Sequence, residues 1–472
     1  MKKIVLGLIA AAIAAAGAGI FLMRGQREES WRSVEYSIDF LSSSGETIRP
    51  LHGINSGPLF GYENGEFRYQ ASGFFRQAGI PYVRLHDVEY PYGKDLFVDI
   101  HCVFPNFEAD PDNPASYHFE ETDQYIRNAI ENGSQIFFRL GESIDHSGDA
   151  LYINPPSDYG QWARICEGII RHYNEGFADG FHYGIAYWEI WNEPDKEQMW
   201  TGTPDEYYEL YKTTASYLKD RFPELKIGGC ALSGVSTDYL NQFLAYISSG
   251  ESAPLDFCSW HIYSADPMDL YRSAEKVQTC LEKYGYETAE LIINEWNYNE
   301  GWSEEELKKG YQVIRSTRGS AYMAASLIAM QEAGIDMAMY YDAQFLDLFC
   351  GLYEESSPGN LEVLPGTYAF QYFNRLYQIG KRIPVFGESV SDLYICAAAN
   401  QIEQAVLIST YCREEEKNFR VILDFPGMYH SEAAVSVIDQ DQMDITTWEK
   451  LDGQKLTLDI KADSIVLVRF IE

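Results

Sequence analysis

Eight short apolar runs alternate with longer amphipathic stretches between residues 51 and 341, and this alternation limits the chain to very few folds. The runs are 51–55, 82–86, 135–140, 186–191, 226–231, 257–263, 291–296 and 337–341. Helical periodicity fills most of the gaps, at 122–131, 161–173, 204–220, 239–248, 270–284 and 319–333. Eight strand–helix units predict an α/β chain closed into a (β/α)8 TIM barrel. Most of the runs end in His, Arg, Asn or Glu, at the face where barrels of this kind build their sites.

Outside the barrel the pattern changes. Residues 33–40 alternate strictly, with Val34, Tyr36, Ile38 and Phe40 apolar, as a half-buried strand does. After a last helix at 368–378, six strand-like runs (393–398, 404–410, 419–425, 433–438, 455–460, 464–470) predict an accessory C-terminal antiparallel β-sandwich. The organisation expected is therefore 31–50 as a strand joining the sandwich, 51–380 as the barrel and 381–472 as the sandwich. Residues 1–30 stand apart. Lys2 and Lys3 precede an uncharged run from Ile4 to Met23, long enough to cross a bilayer. Ala14-Ala15-Ala16 and Ala16-Gly17-Ala18 also fit signal cleavage. Cleavage would leave Ile20–Met23 at a new terminus, which favours an uncleaved anchor. Either reading makes the protein secreted or cell-envelope. The eight cysteines form no C-x-x-C pair, and few or no disulfides are expected. With 71 acidic against 36 basic side chains and no basic patch, a nucleic-acid partner is excluded.

Two strand ends carry the chemistry. One is Tyr187-Trp188-Glu189-Ile190-Trp191-Asn192-Glu193-Pro194-Asp195; the other is Leu291-Ile292-Ile293-Asn294-Glu295-Trp296-Asn297. They are the fourth and seventh barrel runs, whose ends face each other across the mouth. Retaining glycoside hydrolysis needs two carboxyl groups about 5–5.5 Å apart, one on each side of the scissile bond. Motifs for phosphate loops, dinucleotide folds, zinc proteases and nucleophile elbows are absent.

W-E-I-W-N-E-P-D at 188–195 and I-N-E-W-N at 293–297, with Y-V-R-L-H at 82–86 and S-W-H-I-Y at 259–263, resemble glycoside hydrolase family 39. The family belongs to a large clan of retaining glycosidases, and the resemblance covers most of residues 33–472. It implies an O-glycoside hydrolase working without cofactor or metal, β-xylosidase-like, on an oligosaccharide or glycoside. The alternatives are a hexosidase or uronic-acid-releasing enzyme of the clan, or a catalytically silent carbohydrate-binding protein. Glu193 would be the acid/base, with its pKa raised by Trp191, Pro194 and a nearby negative charge. Pro194 also fits the first position of a helix. Glu295 would be the nucleophile, held ionised by Arg84 and Tyr263. Asn192 would bind the sugar 2-hydroxyl, His261 and His86 would contact or orient the sugar, and Trp296 and Trp260 would offer stacking faces. Glu189 reads as a structural carboxylate paired with an arginine such as Arg139. His52 and His101 are given no role beyond lining the pocket, and Tyr340 and Tyr341 fit core or subsite equally. The stretches 99–117 and 345–365 match no pattern of the family and are expected to shape the pocket.

Overall fold

The computed structural model describes residues 31–471, except 43–44, 59–61, 64–65, 68–71, 87–97, 144–151, 347, 358–359 and 415. The expected anchor at 4–23 lies outside the described residues; among those described, no helix is long and apolar enough to cross a membrane. The first strand, β1 (Trp31–Ser37), precedes eight that close into a parallel barrel: β2 (Gly53–Asn55), β3 (Tyr82–Leu85), β4 (Gln135–Leu140), β5 (Tyr187–Ile190), β6 (Lys226–Leu232), β7 (Phe257–Tyr263), β8 (Glu290–Asn297) and β9 (Met337–Tyr340). Each follows its predecessor around the ring, and β9 pairs with β2. All eight expected runs are strands, in the expected order.

Two-residue periodicity stacks the barrel interior in layers. Phe137, Phe257, Ile292, Met337 and Met339 form an apolar plug, packed against Tyr82 and Tyr187. Two residues further along the same strands stand Arg84, Arg139, Glu189, Ser259 and Asn294, all fully buried. Next towards the mouth come His86 and His261. In β8 the register shifts between Ile293 and Glu295, so a bulge turns Asn294 and Glu295 to the same side. The outward-facing set, including Trp188, Ile190, Trp260, Ile293 and Trp296, packs under the helices.

Seven longer strands follow: β10 (Tyr394–Ala399), β11 (Glu403–Ser409), β12 (Asn418–Asp424), β13 (Glu432–Ile438), β14 (Ile445–Lys450), β15 (Lys455–Ile460) and β16 (Ile465–Ile471). With the short strand Arg382–Ile383 at one edge, β10, β11, β16, β13 and β14 make a six-stranded sheet; β1 lies between Phe386–Gly387 and β12 in a four-stranded one. The two sheets enclose their own core, with Val421, Val466 and Phe470 at its centre. Strand β1 does join the sandwich, but it runs parallel to β12, from Trp31 opposite Asn418 to Ser37 opposite Asp424. This is a parallel pair in an otherwise antiparallel sandwich, possible because the whole barrel serves as the crossover between the two strands. The outer face of the six-stranded sheet lies on the barrel helices Thr317–Ala333 and Gly366–Ile379, in one continuous core. Helix Thr317–Ala333 is therefore buried nearly all round. Ser409 Oγ donates to the Ala321 carbonyl at 2.7 Å and the Tyr411 hydroxyl to that of Ala265 at 2.8 Å, stitching the bodies together. All eight cysteines are described and none forms a disulfide.

Candidate active site

The ends of β5 and β8 face each other across the barrel mouth and bring Glu193 and Glu295 together. One carboxylate oxygen of each, with a ring nitrogen of His261 between them, lies within 4.8 Å of the others. The turn that carries Glu193 is left-handed at two non-glycine positions, Trp191 (φ 73°) and Glu193 (φ 45°). Such backbone costs energy and persists where its surroundings impose it. Here the Trp191 N–H donates to Leu140 O at 2.7 Å and the Glu193 N–H to Ala231 O at 2.9 Å. The Trp191 indole donates to Met199 O at 2.8 Å, and its ring packs between Trp162 and Trp200. Gly141 backs the turn; a Cβ there would come 3.0 Å from the Trp191 Cα, so no larger residue fits without moving the turn.

Arg84 organises the floor. Its Nη1 donates to Glu295 Oε1 at 2.9 Å and to Asn55 at 3.1 Å. Nε donates to Glu189 at 2.8 Å and Nη2 to Asn192 Oδ1 at 2.6 Å. The Tyr263 hydroxyl donates to the other oxygen of Glu295 at 2.9 Å. Burial, with the adjacent Glu295 charge, pushes the Tyr263 phenol well above its ordinary pKa, so it remains an O–H donor. Asn192 Nδ2 lies 3.3 Å from His86 Nε2, and that nitrogen is 3.7 Å from Glu295 Oε1. Burial first, then the positive charges of Arg84 and Arg139, push His86 well below its ordinary value. A neutral ring accepts the Asn192 N–H, which fixes the amide orientation. Six of the residues read from sequence, Glu193, Glu295, Asn192, Arg84, His86 and Tyr263, thus converge with His261 on one cluster.

His261 donates Nδ1 to Glu193 Oε1 at 2.9 Å and lies 3.2 Å from Glu295 Oε2. Burial lowers the imidazole, but Glu295 and Glu193 outweigh it and hold His261 above its ordinary pKa. For Glu193 the balance is reversed: burial raises it, yet the bond and charge of His261, backed by Lys196 and Arg84, leave it below the ordinary glutamate value. The expected upward shift of Glu193 is therefore not what the free site shows. The pair's proton rests on His261, one hydrogen bond from the carboxylate.

Other expectations are corrected. Trp296 has no exposed surface; its ring packs 5.2 Å from Tyr340 and 6.4 Å from Tyr322, under the helices, because the residue after an inward Glu295 turns outward. Trp260 is likewise outward, donating to Ser273 at 3.1 Å. Pro194 begins no helix: the chain there makes turns, and the next helix starts at Pro204 behind a Thr203 capping box. Glu189 pairs with Arg84 rather than Arg139 and also accepts from Ser259 at 2.6 Å and Asn294 at 2.8 Å. Arg139 instead holds Asp99 and Ser143. His52 bonds Asn374 at 3.3 Å against the final helix, away from the pocket. Tyr340 is core, while Tyr341 stacks with Phe349 at the rim.

Sequence reasoning missed Trp302. It is 61% exposed and packs 5.6 Å from Tyr263 and 5.3 Å from Phe349. Two cavities flank it. One of about 350 Å³ includes His261 and Tyr263; another of about 580 Å³ includes Tyr263, Asn299 and, from the sandwich, Arg413. A lone loop tryptophan in Gly301-Trp302-Ser303 carries no periodic signal. Also missed was a second cluster, in which Glu142 bonds His101, whose ring stacks under Tyr152 at 3.8 Å. Either this group, with Asp99, or Glu193–His261–Glu295 has the ligand types for a cation. Their oxygens are already engaged, Asp99 by Arg139 and Ser143 and Glu295 by Arg84 and Tyr263, and a metal would have to displace a guanidinium.

Residues 53–351 match the model of glycosyl hydrolases family 39. The chain is 24% identical over 332 residues to a beta-xylosidase of Geobacillus stearothermophilus, an alignment covering 61% of this chain and 62% of that protein. It is 25% identical over 367 residues to a beta-xylosidase of Caldicellulosiruptor saccharolyticus, covering 70% and 69%. The chain thus spans under two thirds of the first relative's length and just over two thirds of the second's. Among solved structures, a glucosidase from Croceicoccus marinus superposes with a TM-score of 0.73 at 23% identity, over 93% of this chain and 99% of that one.

Proposed function

The chain belongs to glycosyl hydrolases family 39, and we propose that it is a retaining O-glycoside hydrolase of β-xylosidase type, with Glu295 as nucleophile and Glu193 as acid/base. The observation that carries this reading is the approach of the two carboxylates, within 4.8 Å at their nearer ligand atoms. That agrees with the roughly 5–5.5 Å of retaining enzymes and lies far inside the separation of inverting ones. In the first step a Glu295 oxygen bonds to the anomeric carbon as the glycosidic C–O bond breaks. The leaving oxygen takes a proton from the Glu193–His261 pair. In the second step Glu193, as base, takes a proton from water, and the water oxygen displaces Glu295 with net retention. Arg84 and Tyr263 orient the nucleophile by charge-assisted and hydroxyl hydrogen bonds. Asn192, fixed between Arg84 and His86, presents its amide to the sugar 2-hydroxyl, a contact that strengthens towards an oxocarbenium-like transition state. Trp302 replaces Trp296 as the stacking face.

The identity of the sugar is tested with a panel of aryl β-xyloside, α-L-arabinofuranoside, glucosides and uronides. The highest kcat/KM is expected on the β-xyloside. A tenfold preference for a hexoside or uronide would overturn the xylosidase assignment, and no turnover of any would favour a silent binding protein.

We further propose that the protein is exported and held at the cell envelope by residues 4–23, from the uncharged run behind Lys2 and Lys3. Fractionation should find the full-length chain with membranes; a soluble form lacking the first sixteen to eighteen residues would show cleavage instead.

A further inference from the structure

We propose that the β-sandwich carries a second saccharide-binding site, separate from the carboxylate pair and built for a neutral glycan. A cavity of about 730 Å³ opens between the β10–β11 turn, the loop that follows β12 and the end of the segment after β1. Its walls combine aromatic and amide side chains with Leu41, Pro426 and Met428. Tyr429 is 98% exposed, with almost none of its ring covered by the protein. Phe40 also lines it, held by Phe425 at 5.5 Å with rings nearly parallel and by Phe470 edge-on at 6.0 Å. Asn400, Gln401 and Gln404 supply the polar edge.

The frame is fixed while the contact groups are open. Asn400 Oδ1 accepts the backbone N–H groups of Ile402 and Glu403 at 2.8 and 2.9 Å, which locks the turn. The 426–430 loop is tied by the Met428 N–H to Phe425 O at 3.1 Å and by Gln454 to Met428 O at 3.4 Å. The side-chain amides of Gln401 and Gln404 make no hydrogen bond to the described residues. A flat ring beside free amide donors and acceptors suits a sugar, which offers a C–H face to the ring and hydroxyls to the amides.

Charge selects among occupants. In a chain with 71 acidic side chains, none among the described residues lines this cavity, so a cation or basic peptide finds no counter-charge there. Lys381 and His430 are the basic groups present, too few for the polybasic cluster that holds an anionic membrane. The site lies away from the mouth. Arg413, just before β12, lines a cavity beside the carboxylates, whereas Pro426–His430 follow β12; the seven-residue strand between them spans about 23 Å. Occupying both places with one polymer would raise retention on it without any change in the chemistry at Glu295. The glycosidase reading enters only in the choice of saccharide as ligand.

Native electrophoresis of the full chain through gels with xylan, mixed-linkage β-glucan or polygalacturonate tests this directly. The parent should be retarded by one of the neutral polymers, and Tyr429→Ala and Gln404→Ala should weaken that retardation at least fivefold. Both variants should hydrolyse the best aryl glycoside within twofold of the parent. Equal retardation of parent and variants would assign the binding to the active site and overturn the proposal. No retardation by either neutral polymer, or stronger retardation by polygalacturonate, would overturn it as well. An inactive but Tyr429-dependent, xylan-retarded parent would instead defeat the hydrolase reading and leave this site standing.

Discussion

Glu295→Gln will lower kcat on the best aryl glycoside by more than about 10³-fold, the scale on which removal of an attacking group acts. The amide has the shape of the carboxylate but cannot form a glycosyl ester. Its oxygen can still accept from Arg84 Nη1, now 2.9 Å from Glu295 Oε1, and the Tyr263 hydroxyl can turn to accept from the new NH2. Thermal unfolding should therefore stay within about 5 °C of the parent. Loss of activity accompanied by a collapse of the fold would point to Arg84 and its buried carboxylates as the cause, since an unpaired buried charge is costly. Near-parental activity would remove Glu295 from the reaction.

Removal of Glu193 separates the two half-reactions. Glu193→Ala should reduce hydrolysis of xylobiose, whose leaving group needs a proton, by about 10²–10⁴-fold. Glycosyl transfer from an activated aryl glycoside should fall far less, because a nitrophenolate leaves unassisted. Azide, needing no base to attack, should then restore turnover and give a glycosyl azide of the same anomeric configuration as the substrate. An inverted azide would contradict double displacement. The pH profile supplies a further check. His261 lies above its ordinary value and Glu193 below it, so the pair loses its proton as pH rises past the raised His261 value. In the parent, kcat/KM should fall on that alkaline side. In Glu193→Ala with an activated substrate, this alkaline fall should vanish.

The barrel was legible because short strand-like runs such as Gln135–Leu140 and Phe257–Tyr263, whose bounds the structure repeats, alternate with longer amphipathic stretches. Strand β14 (Ile445–Lys450) was not, since every residue in it is exposed and nothing imposes alternation on the sequence. The parallel partner of β1 was also hidden: alternation reports which side chains are buried, not which distant strand supplies the hydrogen bonds. In the site, Glu193 and Glu295 stood out through their neighbours, Asn-Glu-Pro and Asn-Glu-Trp. Trp296 follows an inward-facing carboxylate in sequence, but strand parity sends its ring to the helices rather than to the mouth. The pairing of Arg139 with Asp99 was hidden because Asp99 sits in a stretch with no recognisable pattern. The downward position of Glu193 depends on His261 Nδ1 at 2.9 Å, a tertiary contact between residues 68 apart.

The parallel register of β1 against β12 also has a consequence for how the protein is made. Trp31 pairs with Asn418, so strand β1 waits for a partner translated almost four hundred codons later. At about 5–20 residues per second that delay is roughly 20–80 s. Strands β2 to β9 find their neighbours within the span 53–340 and can close in the meantime. Strand β1, with Val34, Tyr36 and the following Ile38 unburied throughout that interval, is the segment a holdase chaperone would have to shield.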